Sequence, residues 1–148
     1  MVCGQPIMMI MRRSVDYTEL LGQLRGKKVA IWTCDTCARL CNGIGGKASA
    51  TALMERLVSD GIEVTGVLST SASCIMSKVS SKYDPEVIDG CDIILALTCD
   101  VGSMCAEIAF DKDSLNPIET LGPGYLDDNM MPILRDGRVV MMGCDPFI

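Results

Sequence analysis

The apolar positions of this chain fall into short runs separated by stretches with helical spacing. Val29-Ala30-Ile31-Trp32, inside residues 28–33, predicts the first strand of a main sheet. Ala50, Leu53, Met54, Leu57 and Val58 then recur at helical spacing, which predicts a helix over 47–60 closed by Gly61. Residues 62–68 alternate in part and predict a second strand, with the polar loop 69–73 after it. Asp84 before Pro85 predicts a short helix that Gly90 ends. Residues 92–97 read as the most apolar strand of the chain. A helix is expected over 101–110, with Val101, Met104, Cys105 and Ile108 on one apolar face.

The flanks are less regular. Residues 1–13 predict no clear structure. The run Ile7-Met8-Met9-Ile10-Met11 suits an edge strand or a flexible apolar arm, with a partner-binding arm as the sharper reading, because methionine adapts to irregular surfaces. Residues 14–25 predict a helix with Ser14 as cap, an apolar stripe at Leu20, Leu21 and Leu24, and Gly26 after its end. Near the other terminus, residues 118–121 predict a strand and Gly122-Pro123-Gly124 a turn. Asp136-Gly137 signals a hairpin before a last strand over 138–142.

Strand–helix alternation predicts an α/β fold: three layers around a mostly parallel sheet, Rossmann- or flavodoxin-like. Residues 1–27 are expected to be an N-terminal arm and helix, and residues 28–148 the cysteine-rich α/β domain. In open sheets of this kind, sites form outside the carboxyl ends of the strands.

Charge and composition narrow the function. The 148 residues carry 13 basic and 19 acidic side chains, a formal net charge of −6. With no basic cluster and few aromatics, nucleic-acid binding is not expected. No run approaches a membrane span, and the early apolar run is too short and wrongly flanked for an export signal, so a cytoplasmic protein is expected. Nine cysteines and no histidine fit a reducing compartment with thiols kept for metal or redox use. The missing histidine excludes Ser-His and Cys-His catalysis, and leaves zinc only cysteine or carboxylate ligands.

The cysteines concentrate where strands end. Cys34, Cys37 and Cys41 lie in the loop between the first strand and the 47–60 helix, and Cys74 and Cys99 follow the next two strands. In a parallel sheet these positions converge on one edge. Two thiolates of a C-x-x-C loop reach one metal or cluster, whereas two idle exposed thiols would be open to oxidation. Three readings compete: an iron–sulfur cluster held by four of these five thiolates, a structural zinc with four cysteines, and a dithiol redox pair at Cys34 and Cys37. The last leaves Cys74 and Cys99 idle. Cys91 and Cys105 read as small buried apolar residues; Cys3 and Cys144 receive no role. Gly43-Ile44-Gly45-Gly46 before a helix resembles a phosphate cradle but matches neither glycine-rich signature, so a turn that frees the loop backbone is favoured. Asp35, Arg39 and Asp100 beside the cysteines read as surface charges, and no acid–base pair stands out.

At these residues the chain resembles the small cysteine-rich partner of methylenetetrahydrofolate reductase, the family described as the reductase C-terminal or zinc-binding-like domain. The resemblance rests on residues 29–46, with Cys34-Asp35-Thr36-Cys37, Cys41 and Gly45-Gly46, on residues 70–74, and on residues 96–102 around Cys99. It covers roughly residues 28–126. It implies a non-catalytic subunit of anaerobic one-carbon metabolism that docks on a larger flavin-containing reductase subunit. Its iron–sulfur cluster, a 4Fe–4S centre with zinc as the alternative, would pass electrons between a donor protein and the flavin. The residues it carries over are Cys34, Cys37, Cys41, Cys74 and Cys99.

Overall fold

A computed structural model describes residues 8–138. Strand β1 (Met8–Arg13) leads into helix α1 (Tyr17–Leu24), then β2 (Lys28–Cys34), the one-turn α2 (Cys37–Leu40) and α3 (Lys47–Ser59). β3 (Glu63–Thr70) is followed by the short helices α4 (Met76–Ser80) and α5 (Pro85–Ile88). β4 (Ile93–Leu97), α6 (Asp100–Phe110), β5 (Ser114–Leu115), β6 (Ile118–Leu126) and β7 (Pro132–Leu134) complete the order.

Four strands form an all-parallel sheet in the order β3-β2-β4-β5. The alternation along β2 explains why helices cover both its faces. Val29 and Ile31 enter one apolar cluster with Leu20 and Leu24 of α1 and Leu53 and Leu57 of α3. Ala30 and Trp32 enter a second with Val79 of α4, Ile88 of α5 and Phe110 of α6. A strand apolar on both faces cannot be left uncovered, so each layer of helices follows from the run itself. The mixed α/β class with helices on both faces of a parallel sheet is as expected. A separate antiparallel sheet, β1-β6-β7, was not anticipated.

Several boundaries differ from the sequence reading, each for a local reason. Residues 8–13 are a strand, not structureless: β1 pairs antiparallel with β6 and buries Ile10 and Met11 completely. It is an edge strand of its sheet. Helix α1 begins later than predicted, because Asp16 and not Ser14 caps it, its carboxylate accepting from the Glu19 amide at 2.8 Å. Gly122-Pro123-Gly124 is not a turn but the middle of β6. Strand β6 lies between β1 and β7 so closely that a Cβ on Gly124 would sit 2.2 Å from the Ile133 carbonyl oxygen. The glycine serves close approach here. Asp136-Gly137 does form a turn, with the Gly137 amide donating to the Leu134 carbonyl; the strand predicted over 138–142 lies almost entirely outside the described residues.

Helix α6 departs most. Of its predicted apolar face, Val101, Met104 and Ile108 are turned outward and Cys105 alone faces inward, together with Gly102, Ser103, Ala106 and Phe110. Two contacts set this rotation. A Cβ at Gly102 would stand 2.3 Å from Ser73 Oγ, so only glycine fits there. Phe110 meets Trp32 edge-on at 5.3 Å.

Candidate functional site

The carboxyl ends of β2 and β4 are neighbours in the sheet, yet β2 continues through α3 to β3 on one side and β4 through α6 to β5 on the other. Connections that leave in opposite directions open a crevice between those two strand ends. Cys34 ends β2 and Cys99 follows β4 at this crevice. Cys37 opens α2 just beyond it, and Cys74 lies in the loop after β3.

Glycines bring the loops together. A Cβ on Gly45 would lie 2.6 Å from the Leu97 carbonyl oxygen and 2.7 Å from Ala38 Cβ, so the cysteine loop presses directly on the end of β4. Gly46 takes φ +93 and packs on Arg39. Gly102 does the same for the other side, allowing α6 against Ser73, next to Cys74. Thr33, fully buried, ties the pieces: its hydroxyl donates to the Leu97 carbonyl at 2.9 Å and accepts the Gly46 amide at 2.7 Å. The hydroxyl of Thr36 donates to the Ser71 carbonyl, and the Asp35 amide donates to the Thr70 carbonyl at 2.9 Å, joining the cysteine loop to the Cys74 loop. The site-forming role of Thr33 was missed in the sequence. The available signal was one polar residue at the end of an otherwise aliphatic buried strand.

The thiols sense one another. Burial raises the Cys37 pKa first, and the neighbouring Cys34 and Cys74 thiols add to that rise, while the Met9 backbone opposes it. Burial likewise raises Cys99; the backbone of Gly102 and Val101 at the start of α6 pulls it down, and Cys37 and Cys34 push it up. Cys34, Cys37, Cys74 and Cys99 thus lie within electrostatic reach of one another through Cys37, and the reach extends to Cys41 through Cys37 and to Cys105 through Cys74. Cys74 is exposed; Cys34 and Cys99 are buried and Cys37 is half-buried. Among the described residues, no three cysteine, aspartate or glutamate side chains stand close enough to hold a single metal ion.

Cys41 behaves differently. It is fully buried, its thiol donates to the Met11 carbonyl at 3.2 Å, and its sulfur accepts the Met11 amide at 3.5 Å. Burial raises its pKa, against the Met11 backbone; among the cysteines only Cys37 acts on it, and Arg13 acts to lower it. The Cys41 thiol thus both donates to and accepts from the Met11 backbone of β1. A register shift between Ile10 and Met11 marks this stretch of β1.

The other candidates resolve into structural roles. Asp35 accepts the Lys47 amide at 2.8 Å and so caps α3, while Arg39 donates to the Asp35 carbonyl at 2.8 Å. Thr33 and Asp35 engage the Gly46 and Lys47 amides at this helix start. The Asp100 amide donates to Thr120 Oγ1 at 2.9 Å, anchoring α6 to β6. Cys91 and Cys105 are buried in the second apolar cluster. Cys3 and Cys144 lie outside the described residues. No helix among the described residues is long and apolar enough to cross a membrane. No protein-family model matches the chain, and no match is found among curated proteins or solved structures.

Proposed function

We propose that this chain is the iron–sulfur electron-transfer subunit of a larger oxidoreductase, with Cys34, Cys37, Cys74 and Cys99 holding the cluster at the β2/β4 crevice of a flavodoxin-like sheet. The observation that carries the proposal is topological: Cys34, Cys74 and Cys99 stand at or just after the carboxyl ends of the neighbouring parallel strands β2, β3 and β4, with Cys37 one turn beyond Cys34. Their chemistry fits the group: four cysteine thiolates are the usual ligands of a 4Fe–4S centre, which supplies one-electron transfer when bound.

The chain's own residues have three tasks in this reading. Gly45 and Gly102 hold the loops at contact distance. The backbone of Met9, Val101 and Gly102 offers donors toward the sulfurs, which favours negative charge there. The surrounding apolar cluster keeps water from Cys34 and Cys99, while exposed Cys74 leaves the site near the surface for a partner. The fifth thiol, Cys41, is assigned to holding α2 against β1 and not to the cluster. The family resemblance adds the partner: a flavin-containing methylenetetrahydrofolate reductase or a related cytoplasmic one-carbon enzyme, fed by an electron-donor protein.

The test is the metal and sulfide content of protein purified without oxygen, with its absorption spectrum. Iron and acid-labile sulfide in equal amounts, in brown protein, are expected. Stoichiometric zinc without sulfide overturns the electron-transfer role in favour of a zinc scaffold. Neither metal, with reactive thiols at Cys34 and Cys37, leaves a dithiol redox protein.

A further inference from the structure

Strand β1 is an edge strand, and along its outer edge every second residue has an amide and a carbonyl with no neighbouring strand to meet. The pairing with β6 fixes which residues these are. Met9 stands opposite Pro123, whose ring nitrogen carries no hydrogen. The Pro123 carbonyl accepts from the Arg135 amide, on the far side of β6. Met9 and Pro123 therefore exchange no bonds, and the Met9 amide points away from β6. By alternation Ile10 faces β6 and Met11 faces away again. The bond from the Met11 amide to Cys41 Sγ at 3.5 Å agrees with this.

Along that outer edge runs the cysteine turn α2 in place of a strand. Four residues of helix set Cys37 and Cys41 about 6 Å apart along the axis, and two residues of strand span about 7 Å, so the sulfurs match the spacing of the outward amides. Cys41 makes both bonds that a strand residue would make: its sulfur accepts the Met11 amide, and its thiol donates to the Met11 carbonyl at 3.2 Å. Cys37, one turn earlier, receives the Met9 backbone in the same way, and Met9 and Cys37 pack against the same apolar cluster. The dependence is mutual. Helix α2 is a single turn with no side-chain cap at its start, and a lone helical turn does not hold itself.

We propose that β1 is a strap held along its outer edge by sulfur, with Cys37 gripping Met9 and Cys41 gripping Met11 where a neighbouring strand would stand. The two grips differ in access, since Cys41 is fully buried and Cys37 half-buried. Cys37 is thus the grip that chemistry at the crevice reaches. Its loss loosens β1 at Met9, while Cys41 keeps Met11. The strap couples the cysteine crevice to the second sheet, β1-β6-β7, and it does not rest on a bound cluster.

The experiment is residue-resolved hydrogen exchange by NMR on the full chain, kept reduced and free of metal. In wild type the Met9 and Met11 amides are expected to be protected, as Ile10 is by β6. Cys37→Ala is expected to speed exchange at Met9 by about tenfold, the size that loss of one hydrogen bond allows, and at Ile10 and Met11 by less than about twofold. Cys41→Ala is expected to do the same to Met11 and to spare Met9. Cys37→Ser and Cys41→Ser keep a donor and an acceptor at each point and should recover most of the protection. Wild-type Met9 and Met11 amides that exchange as fast as unprotected ones overturn the proposal. So does a Cys37→Ala chain, folded by circular dichroism, in which Met9 keeps its wild-type rate or in which Met9, Ile10 and Met11 quicken together.

Discussion

The cysteines of this chain occupy two kinds of place, and the contrast is informative because the side chain is the same. Cys91 and Cys105 sit among Trp32, Ile94 and Phe110 in the α4–α6 layer. Cys34, Cys37, Cys74 and Cys99 sit where loops leave the carboxyl edge of the sheet. In the first place the surroundings are mostly apolar side chains and a thiol there is a small hydrophobe, although after burial the Cys74 thiol also pushes Cys105 up and Lys112 pulls Cys91 down. In the second the surroundings are backbone amides, carbonyls and other thiols, and the sulfurs influence one another. Position relative to strand ends, and not burial alone, separates the two: Cys99 and Cys105 are both buried. The largest expected effect follows. Cys37→Ser or Cys99→Ser should abolish iron and sulfide incorporation, whereas Cys91→Ala or Cys105→Ala should keep both and lose about 1 kcal/mol of stability. Metal analysis beside urea unfolding measures this. Full iron in Cys99→Ser, or its loss in Cys105→Ala, would break the contrast.

The glycines sharpen it. Gly102→Ala inserts a methyl group 2.3 Å from Ser73 Oγ, and Gly45→Ala one 2.6 Å from the Leu97 carbonyl. Each is expected to cost about 1–3 kcal/mol by overpacking and to reduce iron content by parting the loops. Gly22→Ala on the exposed side of α1 meets nothing within 4 Å. It should instead gain about 0.5–1 kcal/mol, because it replaces a helical glycine in open space.

The two kinds of place were largely legible in the sequence, and the reason is local. Val29–Trp32 and Ile93–Leu97 are short, apolar and bounded, so the strands that deliver Cys34 and Cys99 could be read directly. Cys91 and Cys105 could be read as buried from their apolar neighbours. The misreadings concern what tertiary approach decides. Gly122-Pro123-Gly124 carries turn chemistry, yet the narrow space between β1 and β7 makes Gly124 a strand residue. On α6 Val101, Met104 and Ile108 point outward because Gly102 is the only residue that fits against Ser73, and periodicity alone cannot sense that contact. Nor could the cysteine loop by itself show the bond of Cys41 to Met11, 30 positions earlier.

Thr33 gives a smaller effect on the same contrast. Thr33→Val keeps the shape of the side chain but leaves the Gly46 amide and the Leu97 carbonyl without their buried partner. A loss of about 1–3 kcal/mol is expected, with slower or incomplete iron incorporation. The paired change Thr65→Val affects a hydroxyl that donates to the Val87 carbonyl on the other side of the sheet. It should cost less than Thr33→Val, because Thr65 is only part-buried, and leave iron unchanged. Equal iron in both variants would show that Thr33 stabilises the fold without positioning the site.

The smallest effect is read in pH. Burial raises the pKa of both Cys91 and Cys105 above the ordinary value of 9.0. In the unfolded chain these thiols titrate near that ordinary value, so above it the unfolded state sheds protons that the folded state keeps. Their contribution to stability is therefore complete below the ordinary value and declines as pH rises through the folded values. Tyr17 extends the decline upward, since burial and then its hydrogen bond to Asp60 push it from 10.0 to about 12. Urea midpoints of the reduced, metal-free chain should fall between about pH 7.5 and about pH 9.5. The double variant Cys91→Ala, Cys105→Ala should fall less over the same interval, since it has lost two of the groups responsible. An equal fall in both would mean that these thiols ionise as freely as exposed ones, and that the apolar layer does not isolate them as the contrast requires.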